Sequence, residues 1–205
     1  MPYQPDKHHR RSIRLQGYDY STPGAYFVTI CTQHRECLFG NISGGIMNPN
    51  PAGQMIQHWW LELNQKFPSI KTDEFIVMPN HFHGIIVITG TPPHTYPPST
   101  HPTSVEVDLC VYPEGVYPEG VHPEDTDTGA PLPEIVQWFK TMTTNDYIQG
   151  VKHKGWQSFN KKLWQRNYYE RIIRNGGSLQ RVRDYIIKNP HLWKQDQLHP
   201  ENPSK

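Results

Sequence analysis

Two histidines separated by one residue are the first candidates for chemistry in this chain of 205 residues. His81 and His83 follow a Met-Pro-Asn corner and begin an apolar run that ends at Ile88. Because successive strand residues point to opposite faces, both imidazoles would project from one face, about 7 Å apart. Such a pair can bind one divalent metal ion. A bare pair of this kind is more often two polar residues at a strand start, so a metal site needs further evidence.

Two more candidates lie on the last predicted helix. Tyr185 and Asn189 are four residues apart, so they would project from nearly the same side, one turn apart. The amide oxygen of Asn189 can bind a metal, and the phenolic oxygen of Tyr185 can attack phosphorus. A phenol with a pKa of about 10 is a poor nucleophile unless a metal polarises the phosphate. Spacing alone leaves Tyr185 open to a packing role, and Tyr168 and Tyr169 remain rival nucleophiles.

Strand and helix patterns alternate along the chain and must position these residues. The patterns predict strands at 25–32, 75–78, 81–88 and 163–174, and helices at 52–67, from 132 to about 148, and at 178–189 with Ser178 as cap. Residues 40–53 are predicted to form a loop. This order predicts an α+β protein of ferredoxin-like (split βαβ) architecture, with an antiparallel sheet, helices on one face and a further C-terminal helix carrying the tyrosine. The other face of the sheet would be free for a ligand.

The segment 90–131 has a different composition from the rest of the chain. It is rich in proline and contains three imperfect copies of a pentapeptide between residues 111 and 125. Three polar copies cannot bury a core, so we expect a disordered acidic insertion in one domain. The catalytic domain is then expected in two parts, 25–89 and 132–205, after a basic N-terminal arm at 1–24.

The insertion also hides the charge of the remaining chain. Residues 91–130 contain seven acidic residues and no lysine or arginine, whereas the overall net charge is +1. The rest of the chain therefore has 20 basic and 12 acidic residues, a net charge of +8. A body of this charge is typical of proteins that bind polyanions.

Composition also predicts the compartment. No apolar run approaches the roughly 18 residues of a membrane span, and the first residues lack a signal-peptide pattern. The three cysteines, Cys31, Cys37 and Cys110, have neither disulfide-framework nor zinc-knuckle spacing. We therefore expect a cytoplasmic protein.

Three segments in order resemble the REP-associated tyrosine transposases, which are single-tyrosine members of the HUH (His-hydrophobe-His) superfamily. They are MPNHFHGII at 78–86, LWQRNYYERIIRN at 163–175 and VRDYIIKNP at 182–190, and residues 26–32 also resemble the family's first strand. The resemblance covers nearly all of the chain except 90–131. That insertion departs from the compact family pattern.

The resemblance implies a ferredoxin-like fold and a Mg²⁺- or Mn²⁺-dependent attack on single-stranded DNA. It implies His81 and His83 as metal ligands, Tyr185 as the nucleophile and Asn189 as the third ligand. It also implies a 5′-phosphotyrosine intermediate with a free 3′-hydroxyl, which can later reverse the reaction on another strand. The covalent link conserves the energy of the phosphodiester, so no nucleotide cofactor is required.

Single-stranded or hairpin DNA is the partner that this resemblance implies, and basic residues near the motifs are candidate contacts. Each of these residues, taken alone, fits a solvated surface charge as well as a DNA contact. Together they fit binding to the backbone of single-stranded or hairpin DNA. They are Arg10, Arg11, Arg14, Lys161, Lys162, Arg166, Arg171 and Arg174. No membrane partner is expected, and both a homodimer and a monomer fit the sequence.

Other functions compete with DNA cleavage and rejoining. A histidine-based nucleotide hydrolase would need a third alternating histidine, where the chain has Ile85. A metal-dependent amidohydrolase would need a barrel of roughly 250 residues. The stronger alternative is a catalytically silent protein, derived from a transposase, that binds hairpin DNA. Only the enzyme would form a denaturant-resistant complex with DNA.

Overall fold

Six strands and three α-helices form the parts of the computed structural model that are described, residues 17–90 and 130–202. In chain order they are β1 (Gly24–Cys31), β2 (Gly40–Ser43), β3 (Ile46–Pro49), α1 (Pro51–Lys66), β4 (Ile70–Met78), β5 (His81–Ile88), α2 (Leu132–Lys154), β6 (Tyr169–Ile173) and α3 (Gly176–Lys188). Short 3-10 helices occupy Gln33–Arg35 and Asn189–Gln195. Most of the expected basic arm (1–16) and of the expected insertion (91–129) lies outside the described residues.

The main sheet has four antiparallel strands in the order β4-β5-β1-β6. The order of β1, α1, β4, β5, α2 and β6 along the chain gives the split βαβ arrangement, and the predicted ferredoxin-like fold is therefore confirmed. Helices α1 and α2 pack together on one face, and α3 packs against the opposite face. The register places Thr29 of β1 between His83 of β5 and Tyr169 of β6.

Alternation along β5 divides the hydrophobic residues between two layers. Phe82 and Ile86 belong to the large core under α1 and α2. Ile85 belongs to a smaller cluster with Val182 and Ile186 of α3. Because the two histidines of β5 share the parity of Ile85, they lie on the α3 face.

Gly84 allows α1 to approach β5 closely. A Cβ atom at this position would collide with the indole ring of Trp60. Trp60 is fully buried and packs against Phe82, with ring centroids 4.6 Å apart. The glycine after the two histidines is therefore required by packing on the other side of the sheet.

The predicted loop at 40–53 is wrong over most of its length. Strands β2 and β3 form an antiparallel hairpin, and α1 begins at Pro51, where the Asn50 side chain accepts a hydrogen bond from the main-chain N–H of Gly53. The turn at Gly44 and Gly45 has φ of 59° and 78°, the positive values that tight hairpin turns require. Strands of four half-exposed residues are too short to show a clear hydrophobic alternation.

The predicted strand at 163–174 is too long, since β6 contains only Tyr169–Ile173. Trp164 lies before the strand and is held elsewhere, by an isolated bridge to Thr32 and by an indole N–H donated to Thr143 Oγ1 at 2.9 Å. Leu163 and Trp164 are apolar because they are buried before the strand, and this made residues 163–168 look like part of it.

The boundaries of the last helix also differ from those predicted. Asn175, not Ser178, caps α3, because its side chain accepts a hydrogen bond from the main-chain N–H of Ser178 at 2.9 Å. The helix ends at Lys188, and Asn189 begins the 3-10 helix that contains Pro190. Within the described residues, no helix combines the length and apolar character that crossing a membrane requires.

Candidate active site

His81 and His83 lie side by side on the α3 face of β5. Their side chains are buried, with 0% and 2% of each residue exposed. The two Nε2 atoms are 3.1 Å apart. This is close to the roughly 3 Å between adjacent ligand atoms of an octahedral ion with bonds of about 2.1 Å. The two Nε2 atoms are thus much closer together than the roughly 7 Å that separates alternate residues along a strand.

Asn80 determines which nitrogen of His81 carries the proton. Its Nδ2 donates to the main-chain oxygens of Arg35 at 3.2 Å and Leu198 at 2.7 Å. Its Oδ1 is thereby directed at His81 Nδ1, 2.8 Å away. The imidazole must then donate through Nδ1, which leaves the lone pair of Nε2 available.

His83 also has a hydrogen-bond partner in the sheet. Its Nδ1 lies 2.8 Å from Oγ1 of Thr29 on β1. Burial lowers the pKa of His83 to about 3, and burial together with the charges of His83 and Arg35 holds the pKa of His81 well below its usual range. Both rings are therefore neutral at neutral pH, as a metal ligand must be.

Tyr185 extends from α3 to the histidine pair. Its Oη is 3.5 Å from His83 Nε2, and its ring meets Phe27 edge-on with centroids 6.0 Å apart. The residue is 43% exposed, so a substrate can reach it. Burial and the charge of Asp196 raise the pKa of the phenol, and the nearby Asn189 side chain opposes that shift.

Asp196 joins the histidines and was not predicted from the sequence. Its Oδ2 is 3.7 Å from His81 Nε2, and the ligand atoms of His81, His83 and Asp196 all lie within 4.8 Å of one another. These three residues form a group that could hold a metal ion. Asp196 belongs to the irregular segment after α3, which has no periodic pattern. The only sequence signal for Asp196 is that it is an acidic residue soon after the helix that carries Tyr185.

Two buried oxygens support this metal site. Oδ2 of Asp196 and Oδ1 of Asn189 have no hydrogen-bond partner among the described residues. A buried oxygen without a partner is costly, and a cation is one group that can satisfy it. With two imidazole lone pairs, a carboxylate and an amide oxygen, the donor set fits a divalent ion.

A cavity of about 910 Å³ opens over His83, Asp196 and Asn189. Its walls include His83 and Tyr169 from the sheet, Tyr185 from α3, Arg35 from the short 3-10 helix after β1, and several residues of the segment 189–202. Of the two rival tyrosines, Tyr168 is buried in the core under α1 and α2, on the other side of the sheet. Tyr169 is 59% exposed and lines the cavity.

The basic residues predicted to contact DNA lie in several places. Lys161, Lys162 and Arg166 line a separate cavity of about 410 Å³ beside α2. Arg171 pairs with Phe27 across β6 and β1, so it shares the sheet face of His83, and Arg174 is exposed just before α3. The remaining three, Arg10, Arg11 and Arg14, lie outside the described residues.

Comparison with known proteins identifies a relative of this chain that is similar over nearly its full length. No family model matches the chain. An uncharacterized protein from Haemophilus influenzae is 36% identical over 200 residues, which cover 96% of this chain and 97% of that protein. This chain belongs to the same family as the Haemophilus protein. Membership rests on near full-length similarity.

A solved structure shares the fold of this chain. A REP-associated tyrosine transposase bound to a REP hairpin matches with a TM-score of 0.50 at 18% identity, over 88% of this chain and 73% of that chain. A Deinococcus radiodurans protein described as a transposase candidate matches 87% of this chain and 98% of its own, with 13% identity and a TM-score of 0.40, which is too low to support an argument. The resemblance in the motifs is thus confirmed at the level of the fold: the chain has the fold of a REP-associated tyrosine transposase.

Proposed function

We propose that this chain is a metal-dependent DNA transposase and endonuclease that acts on single strands next to hairpins. The observation that carries the proposal is the position of the Tyr185 hydroxyl, 3.5 Å from His83 Nε2. That tyrosine lies in an open cavity beside three converging groups that could hold a metal ion. The shared fold supports the proposal, and a transposase of that fold has been solved with a REP hairpin.

His81, His83 and Asp196 would hold Mg²⁺ or Mn²⁺, with Asn189 as a further oxygen ligand. Carboxylate and amide oxygens suit both ions, and imidazole nitrogens favour the transition metal. When bound, the ion would polarise the scissile phosphate and neutralise its developing charge. Asn80 and Thr29 would orient the two imidazoles through their Nδ1 atoms.

Tyr185 would act as the nucleophile. Attack forms a bond between its Oη and phosphorus and breaks the bond from phosphorus to the 3′ oxygen. The phenol loses one proton and the leaving oxygen gains one, so the products are a 5′-phosphotyrosine and a free 3′-hydroxyl. Because the phosphodiester energy is kept in the new bond, the reverse step can join a different 3′ end.

Basic residues outside the cavity would hold the DNA backbone. Lys161, Lys162 and Arg166 are close enough to line one cavity, and Arg171 shares the sheet face of the proposed catalytic residues. Arg174 and the three arginines of the N-terminal arm stay predictions of the same kind. Association with the nucleoid would follow from DNA binding, and either a monomer or a homodimer is compatible with one complete site per chain.

The test is a labelled library of single-stranded hairpins incubated with Mn²⁺ and analysed on a denaturing gel. We expect a shifted covalent band with the wild-type protein and none with Tyr185→Phe. Tyr169→Phe is the matched control, because it removes a hydroxyl from another tyrosine of the same cavity. A band that persists in Tyr185→Phe but is lost in Tyr169→Phe would move the nucleophile to Tyr169. Binding without any covalent band would leave a catalytically silent hairpin-binding protein.

A further inference from the structure

Arg35 is the only arginine among the described residues that line the cavity of Tyr185. We propose that its guanidinium binds the DNA phosphate that undergoes attack, or the phosphate adjacent to it. This rests on the proposed function, which supplies the class of substrate. It adds a catalytic residue that lies far from the histidines and the tyrosine in sequence.

The backbone at Arg35 has an unusual conformation. His34 and Arg35 have φ of 57° and 58°, so two consecutive residues other than glycine lie in the left-handed region. This region is unfavourable for residues with a Cβ atom, and such strain is concentrated at functional sites. The conformation turns the chain after β1 so that the Arg35 side chain enters the cavity.

The Asn80 side chain, which orients His81, also holds the turn that contains His34 and Arg35. Asn80 donates to the main-chain oxygen of Arg35 and contacts His81 Nδ1. Thr32 Oγ1 donates to the main-chain oxygen of Glu36 at 2.9 Å and fixes the other end of the turn. Arg35 is therefore positioned relative to the metal-binding group before substrate arrives.

The guanidinium has unused hydrogen-bonding capacity. Its Nη1 donates to the main-chain oxygen of Gln197 at 3.0 Å. Among residues 17–90 and 130–202, no carboxylate forms an ion pair with it. Its positive charge nevertheless faces the site, since Arg35 lines the same cavity as His83, Tyr185 and Asp196.

An arginine with these properties is suited to a phosphate. The planar guanidinium can offer two parallel N–H donors to two phosphate oxygens, a geometry that lysine cannot reproduce. Negative charge increases on the phosphate oxygens during attack, so a fixed cation beside them stabilises the transition state more than the ground state. Arg35 should then affect the rate of adduct formation more than the affinity for DNA.

The first test measures single-turnover formation of the covalent adduct at saturating hairpin DNA and Mn²⁺. We expect Arg35→Gln to slow the reaction about 100-fold, as for loss of one preorganised donor, and Arg35→Lys to recover only part of the rate. Lys66→Gln, on the last turn of α1 and so on the other face of the sheet, is the control and should react like wild type. Titration with Mn²⁺ alone should give the same affinity for all four proteins.

The second test locates the contact on the DNA. Binding is measured in the Tyr185→Phe background, with and without an uncharged methylphosphonate at the cleaved or the adjacent position. We expect this replacement to weaken binding more when Arg35 is present than when it is glutamine, because only the interaction of the phosphate with the metal ion remains in the variant. Additive losses would show that Arg35 does not contact that phosphate and would overturn the proposal.

The outcomes distinguish a failure of the role proposed for Arg35 from a failure of the proposed function. A wild-type adduct with an unchanged rate in Arg35→Gln would refute the role of Arg35 and leave the proposed function intact. A slow Arg35→Gln that has also lost Mn²⁺ affinity would show a structural role and refute the phosphate contact. If wild type neither binds hairpins nor forms an adduct, the proposed function fails, and the role of Arg35 fails with it.

Discussion

Asn80 offers the sharpest test of how the site is held together. The residue is 1% exposed, and its amide makes three hydrogen bonds, to Arg35, Leu198 and His81. Asn80→Ala would remove all three and leave two main-chain oxygens and one ring nitrogen without their partner. At about 1 kcal/mol for each bond, we expect a loss of about 3 kcal/mol in the free energy of unfolding.

Asn64→Ala is a matched control for that loss. Asn64 also makes three hydrogen bonds, two with Thr72 and one with the main-chain oxygen of Leu61, but its side chain is exposed. Because water can replace those bonds, we expect a loss of about 1 kcal/mol or less. Both variants are measured by urea unfolding at neutral pH.

Metal affinity tests the tautomer argument separately. Without Asn80, His81 can carry its proton on Nε2, so we expect Asn80→Ala to bind Mn²⁺ about 10- to 100-fold more weakly by calorimetry. Asn80→Asp keeps an acceptor for Nδ1 but loses both donors. It should therefore retain most of the Mn²⁺ affinity and still be less stable. Equal stability losses for Asn80→Ala and Asn64→Ala, or wild-type Mn²⁺ affinity in Asn80→Ala, would refute the reasoning.

Two further predictions concern stability away from the site. Hydrogen bonds from Arg183 of α3 hold the pKa of Asp73 below its usual value, so this ion pair stabilises the fold above a pH of about 4 and the effect is lost as the pH falls through the lowered pKa. Asp73→Asn should be less stable than wild type at pH 7 in urea unfolding, and the difference should vanish at strongly acid pH; a difference independent of pH would contradict this. Gly84→Ala should cost about 1–3 kcal/mol because its methyl group meets Trp60, whereas Gly176→Ala, with open space around it, should be nearly neutral in thermal unfolding.

Regular periodicity made the framework predictable. The alternation of β5 placed His81 and His83 on one face. The spacing of Tyr185 and Asn189 predicted that they share one side of the last helix, and both line the same cavity, although Asn189 lies just after the end of α3. Such inferences need only the regular geometry of a strand or helix, which can be applied directly to the spacing of residues in the sequence. The roles of these residues in catalysis stay predictions.

Residues in irregular segments could not be found in the same way. Asp196 and Arg35 reach the cavity from segments without a hydrophobic period, and their positions depend on contacts with residues far away in the chain. The hairpin of β2 and β3 was missed for a related reason, because its strands are short and half exposed. Where tertiary contacts rather than a repeat fix the backbone, spacing carries no information.

The long sequence separations within the site have a consequence for protein synthesis. Asn80 contacts the main chain of Leu198, 118 residues further along, and Asp196 lies beside His81. The sheet from β1 to β5 can begin to form while later residues are still in the ribosome. The group of His81, His83 and Asp196, however, cannot assemble until Leu198 has emerged. A newly made chain can therefore pair these strands before the group is complete, and incomplete chains released before Asp196 is made would lack the complete group.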